Sequence, residues 1–137
     1  MVKAKAIMTT GVVAVTKDTD IYQAIRTMVA NDVNGLPVVT DDGTLVGVVT
    51  EKDVLSLLYN IENHPGTVED FMTPEVVAFD QDDDVVDIAE RLGANDFRRV
   101  PILADGKLVG IISRRDLIKY ILEPIGQRRQ FVRAITP

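Results

Sequence analysis

Most of this chain is one unit written twice. Residues 7–38, "IMTTGVVAVTKDTDIYQAIRTMVANDVNGLPV", align without a gap on residues 71–102, "FMTPEVVAFDQDDDVVDIAERLGANDFRRVPI", and eleven of the thirty-two pairs at this offset of 64 are identical. Met8/Met72, Thr9/Thr73, Val12/Val76, Asp20/Asp84, Asn31/Asn95 and Pro37/Pro101 are among them. One deletion in an acidic turn shifts the offset to 63, and Gly43/Gly106, Gly47/Gly110, Thr50/Ser113 and Asp53/Asp116 then fall into register. A duplication on this scale calls for two like units. Neither is large enough to cover its own apolar sheet, so the two are expected to pack on each other.

Each unit reads β-α-β-β-α. "GVVAV" and "EVVAF" are short β-branched runs that read as strands. An aspartate, Asp20 or Asp84, then caps a helix that places Ile21, Ala24, Ile25 and Met28, or Val85, Ile88, Ala89 and Leu92, at helical spacing. "LPVVT" and "LVGVVT" form a hairpin around Asp-Asp-Gly, and "VPILA" and "LVGIIS" form another around Asp-Gly. A final helix places Val54, Leu55, Leu58 and Tyr59 where its counterpart has Leu117, Ile118, Ile121 and Leu122, a face expected to lie on the sheet. The fold class is therefore α/β of the α+β type. A first repeat over residues 1–60 and a second over 71–123 are joined by a polar linker at 61–70 and followed by a basic tail at 124–137.

The junction of last strand and last helix is the most sharply repeated feature. "GVVTEKD" and "GIISRRD" both end a strand on a hydroxyl and place an acid three positions later. Taken singly, each is a capping box, in which hydroxyl and carboxylate satisfy the free N–H groups of a helix start. The acid run "DQDDD" at 80–84 reads the same way, as a capped helix start; it lacks the spaced ligands and closing Glu of a calcium loop.

Composition narrows the chemistry. The chain has no cysteine, which removes disulfides, thiolate metal sites and thiol nucleophiles, and its single histidine, His64, lies in a loop-like "ENHPG". No glycine-rich phosphate loop is present, and the two repeated carboxylates, Asp53 and Asp116, occupy equivalent positions with no partner base nearby in sequence, so no enzymatic activity is expected. The longest apolar runs fall far below a membrane span, and the first residues lack the apolar stretch of a signal peptide, so a cytoplasmic protein is expected. Net charge is −6, against a general nucleic-acid binder. The charge is uneven: residues 98–137 hold nine Lys and Arg against three acids, leaving six against eighteen for residues 1–97. A nucleic-acid contact would have to use that basic region.

The duplicated unit resembles the CBS domain, the module named after cystathionine β-synthase. The openings "IMT" and "FMT", the Pro-centred strands, the D-G hairpins and above all "GVVTEKD" and "GIISRRD", twice in order over roughly residues 1–123, carry the resemblance. It is to a complete tandem pair, a Bateman module with no enzyme attached. The resemblance implies two repeats about a pseudo-twofold axis and clefts that bind adenosine-containing ligands: AMP, ADP or ATP, with S-adenosylmethionine as a further option. It also implies regulation, either of an unidentified partner protein or of the chain's own oligomer. A homodimer of four repeats is expected, and a ligand-free scaffold that pairs proteins is the alternative.

The residues agree with that chemistry. A strand feeding a helix start aims backbone N–H groups at one point, an anion site to which Thr50 or Ser113 adds a hydroxyl. Asp53 and Asp116 are placed to accept hydrogen bonds from a ribose diol. Val12, Leu36 and Pro37, with Val76, Val100 and Pro101, are candidates for an apolar adenine slot, core packing being their other reading. Arg98, Arg99, Arg114 and Arg115 all lie in the second copy, where the first has Asn34, Gly35, Glu51 and Lys52. Their planar forks suit phosphate oxygens, and the clustering makes Asp116 the expected dominant ribose anchor. In this fold the phosphates can also lie between repeats, so arginines of one copy can serve a ribose held by the other.

Overall fold

The computed structural model of the chain describes residues 1–59, 66–74, 76–94 and 97–123. The basic tail at 124–137, His64 and residues 61–65, half of the expected linker, lie outside the described residues. The order is a helix α1 (Ile21–Asn31), hairpin strands β1 (Gly35–Val39) and β2 (Leu45–Thr50), and a short helix α2 (Glu51–Val54) that tightens into a 3-10 turn at Leu55–Leu58. The second copy follows with β3 (Phe79–Asp80), α3 (Val85–Ala94), β4 (Arg99–Ala104), β5 (Lys107–Ser113) and a helix α4 over 114–123.

The two hairpins have one register. Gly35 faces Thr50, Leu36 faces Val49 and Pro37 faces Val48, while Arg99 faces Ser113, Val100 faces Ile112 and Pro101 faces Ile111. Both carry an irregularity one step further on, between Val38 and Val39 and between Ile102 and Leu103. The helix starts follow the sequence expectation. Asp20 accepts from Tyr22 N and Gln23 N, at 3.1 and 3.2 Å, and Asp84 accepts from Val86 N at 3.0 Å. The acid run before α3 folds on itself, with Asp80 N donating to Asp83 and Asp82 N to Asp80.

A pseudo-twofold axis passes between the hairpin turns. Leu45 N donates to Gly106 O and Leu108 N donates to Gly43 O, two bonds that exchange under the 63-residue offset. The same symmetry swaps the arms that precede each repeat. Thr9 pairs with Ile111 of β5, and its equivalent Thr73 pairs with Val48 of β2. Ala4 is fully buried in the core formed by Ile88, Leu92, Val100, Ile102 and Ile112, and its equivalent Val68 is fully buried with Ile21, Ala24, Leu36, Val38 and Val49. Each core is therefore built from one repeat and the other's arm. Backbone approach makes this possible at Gly47 and Gly110, where a Cβ would sit 2.8 Å from Thr73 O and 2.5 Å from Met8 Sδ.

Two expectations change. Among the described residues, 11–15 and 76–79 do not form full strands: Val15 alone bridges Val38, and Phe79 and Asp80 alone pair, with Ile102 and Leu103. Val76 and Val77 leave the sheet to line a cleft. The last helices also do not lay their whole apolar face on the sheet. Leu117 is buried and Val54 half-buried, but Leu55, Leu58, Tyr59, Ile118, Ile121 and Leu122 are exposed.

Candidate functional site

Between the repeats lies a cleft of about 480 Å³. Its floor is apolar and nearly symmetric: Pro37 and Pro101 with their cross-strand partners Val48 and Ile111. Its rim is not symmetric. One side is the start of α2, with Thr50, Glu51 and Lys52, faced by Thr73, Val76 and Val77 of the second arm; the other is Phe97, Arg98 and Arg99 leading into β4. Three cations against the one carboxylate of Glu51 make the rim positive in an otherwise acidic chain.

Thr50 ends β2 in extended geometry and caps α2. Asp53 closes a reciprocal capping box: Thr50 N and Thr50 Oγ1 donate to Asp53 Oδ2 at 2.8 and 3.0 Å, and Asp53 N donates to Thr50 Oγ1 at 3.4 Å. The second motif has the same box, with Ser113 N donating to Asp116 Oδ2 at 2.9 Å and Asp116 N to Ser113 Oγ at 3.1 Å. The capping reading thus describes both motifs, and it leaves the second oxygen of each carboxylate to be accounted for.

The arginines separate. Arg98 and Arg99 line the cleft, and Arg99 Nε is buried with no hydrogen-bond partner among the described residues. Arg114 turns the other way and donates from Nη2 to Leu92 O, the last turn of α3, at 2.9 Å. Arg115 is exposed on α4 and does not line the cleft. Two of the second repeat's arginines, Arg98 and Arg99, therefore share a cleft with the first repeat's helix start.

Of the adenine candidates, Leu36, Pro37, Val76 and Pro101 line the cleft. Val100 sits in the second core at 1% exposure, facing away, and Val12 is half-buried outside the lining. Asp53, Ser113 and Asp116 are half-buried and not part of the lining surface, although Asp53 is one turn from Thr50. Phe97, Val48 and Ile111 line the cleft without having been singled out in the sequence, and Asn34 and Gly35, named there only as counterparts of the arginines, line it too. The prolines could have pointed to Val48 and Ile111 through hairpin register. Phe97 carried a weaker signal, as an aromatic beside Arg98 where the first copy has Val33.

Two like α+β units that exchange arms around a shared cleft define the class of protein. The CBS domain family model matches residues 4–60 and again 68–123, and the chain belongs to that family as a tandem pair. An uncharacterized protein of Methanocaldococcus jannaschii is 32% identical over 117 residues, covering 85% of this chain and 42% of that protein. The chain thus spans less than half of that relative's length. Among solved structures, CBSX2, an Arabidopsis thaliana CBS-pair protein, determined in complex with AMP, is 32% identical with a TM-score of 0.81, covering 90% of this chain and 98% of that one. The CBS pair of protein MJ0100, in complex with 5-methylthioadenosine and S-adenosyl-L-methionine, is 25% identical with a TM-score of 0.75, covering 88% and 99%. No helix among the described residues is long and apolar enough to cross a membrane.

Proposed function

We propose that the chain is a regulatory module that holds an adenine nucleotide of the AMP, ADP or ATP class in the cleft between its repeats. In this reading the ribose meets Asp53, the phosphates meet Thr50, Arg98 and Arg99, and the base enters the slot of Pro37, Val76 and Pro101 beside Phe97. The observation that carries it is Arg99: a guanidinium on the cleft wall whose buried Nε has no acceptor among the described residues. An unmet buried donor costs about 1–3 kcal/mol, and a phosphate oxygen would satisfy it. The AMP complex of CBSX2 and the methylthioadenosine and S-adenosyl-L-methionine complex of MJ0100 support the adenosine class. The positive rim favours phosphates over a sulfonium cation.

The module acts by occupancy rather than catalysis, altering a partner or its own assembly. Exposed Leu55, Leu58 and Tyr59, and Ile118, Ile121 and Leu122, support a homodimer formed through the last helices, and they equally support a scaffold that binds no ligand. A thermal-shift series with AMP, ADP, ATP and S-adenosylmethionine separates the two. A nucleotide at 100 times its dissociation constant should stabilise the chain by about 2.7 kcal/mol, and Arg99→Gln should remove most of that gain. No shift with any adenosine compound at millimolar concentration leaves the scaffold.

A further inference from the structure

We infer that the two ribose sites are not equivalent: the Thr9 hydroxyl already occupies the ribose-accepting oxygen of the second motif, so the chain takes one nucleotide, on Asp53. This rests on the nucleotide reading above and goes beyond it by assigning stoichiometry to a residue outside the cleft.

The arms place Thr9 and Thr73 alike. Thr9 N and Ile111 N each donate to the other's carbonyl at 2.9 Å, and Thr73 N and Val48 N do the same at 2.8 and 2.9 Å. Only the side chains differ. Thr9 Oγ1 donates to Asp116 Oδ1 at 3.2 Å, so both oxygens of Asp116 have donors, one from its own cap and one from the other repeat's arm. Thr73 makes no such bond among the described residues, and Asp53 Oδ1 has no donor there. A carboxylate oxygen can accept two bonds, as Asp53 Oδ2 does, so Thr9 excludes a ribose diol by standing where the diol would approach the outer oxygen rather than by exhausting it.

Further contacts have the same sense. The backbones of the two arms lie about equally close to their sheets, but the methionine beside the first is packed tighter: a Cβ at Gly110 would meet Met8 Sδ at 2.5 Å and Cγ at 2.8 Å, whereas at Gly47 the nearest methionine atom, Met72 Sδ, is at 3.2 Å. The charge beside the second motif is engaged as well, since Arg114 is bonded to Leu92 O. Lys3 and Lys5 further pin the first arm to Asp82, at 3.5 and 3.1 Å. A nucleotide at Asp116 would have to displace Thr9 and draw phosphate contacts from an arginine turned elsewhere. At Asp53 it displaces nothing, and Arg98 and Arg99 stand across the cleft.

Calorimetric titration of the full chain with AMP tests this. The unmodified chain should bind one AMP. Asp53→Asn should weaken that binding about tenfold or more, as loss of one charge-assisted bond does, and Asp116→Asn should leave it within about twofold. Thr9→Ala should raise the stoichiometry toward two, Thr9→Ser should hold it at one, and adding Asp116→Asn to Thr9→Ala should restore one. Two equal sites in the unmodified chain, a loss confined to Asp116→Asn, or a stoichiometry of one in Thr9→Ala at millimolar AMP would each overturn the inference while leaving nucleotide binding in place. Absence of binding in every variant, with each still melting cooperatively, overturns the nucleotide reading and this inference with it.

Discussion

Thr50 with Asp53 and Ser113 with Asp116 share a backbone and differ in their company. Both close a capping box, and both follow a strand whose register is the same residue for residue. The first opens onto a cleft with Glu51 and Lys52 on its rim; the second faces a threonine from the opposite arm and an arginine bonded elsewhere. Duplication supplies the scaffold twice, and the side chains around it are then free to diverge without disturbing either helix start. In the nucleotide reading proposed above only the first motif stays open, while Asp116 of the second holds the opposite arm through Thr9.

The cores show the same divergence and give the largest expected effect. At the equivalent helical positions the first repeat has Ala24 then Ile25, and the second has Ile88 then Ala89. Ala24 and Ile88 are both fully buried, whereas Ile25 is half-buried at the edge of its cluster. Ile88→Ala should therefore cost about 2–5 kcal/mol, through lost burial and the cavity left between Leu92, Ile102 and Ile112. Ile25→Ala should cost clearly less. Urea denaturation of the two variants checks this, and equal losses would mean the cores are packed alike despite the shifted isoleucine.

Next come the glycines beneath the arms. Gly47→Ala sets a Cβ against backbone, Thr73 O at 2.8 Å, which cannot swing aside; Gly110→Ala meets first the side chain of Met8, which can, and then Thr9 O at 3.0 Å. Both should destabilise by about 1–3 kcal/mol as overpacking does, Gly47→Ala more than Gly110→Ala. Because Gly110→Ala pushes on Met8 and Thr9, it should also raise hydrogen exchange of the Thr9 and Ile111 amides. Exchange unchanged at those amides would show the first arm held by its lysines and Ala4 instead.

How legible all this is from sequence follows the range of each interaction. Hairpins, caps and the duplicated motif were readable, since they depend on residues a few positions apart: Asp20 before Ile21, Gly43 in its turn, Thr50 three before Asp53. The exchange of arms was not. An offset alignment says that Thr9 resembles Thr73, but not that each lies on the other repeat's sheet. The cleft was half readable. Pro37, Pro101, Thr50, Arg98 and Arg99 were named, while Val100 went to the core because strand alternation turns it inward beside Pro101. The expectation that Asp116 dominates rests on the arginines clustered in the second copy, and the contact that bears on our opposite proposal, Thr9 with Asp116, spans 107 positions and leaves no mark in the sequence.

A smaller effect distinguishes the helix caps. Asp20 satisfies two amides of α1, those of Tyr22 and Gln23, and Asp84 satisfies one described amide of α3, that of Val86. Asp20→Ala should cost about 1 kcal/mol and Asp84→Ala somewhat less, both read by thermal melts at neutral pH. Asn at either position should recover most of the loss. If Asp84→Ala proves the costlier, its backbone bridge to Lys3 carries more of the arm's attachment than its cap carries of the helix.

The hairpin turns yield the smallest difference, and acid reveals it. In the first turn Thr40 Oγ1 donates to Asp42, and Thr44 donates to the same oxygen from Oγ1 at 2.9 Å and from N at 3.2 Å. These bonds, Thr40's foremost and then Thr44's, hold the Asp42 carboxyl down at about 2 from an ordinary value of 3.8. In the second turn Ala104 and Lys107 stand where Thr40 and Thr44 do, so neither hydroxyl is available to Asp105. A carboxyl depressed in the folded state adds stability that is complete above its ordinary value and is lost as pH falls from about 4 toward 2. The first turn should therefore loosen in that window: amide exchange at Thr44 should rise, and the Asp42 carboxyl carbon should titrate near 2 by NMR. Asp42 is fully solvent-exposed, so screening keeps the effect on global melting small, and it should vanish in Asp42→Asn. A carboxyl that titrates near 4 would show that the hydroxyl bonds are too weak in water to order the turn.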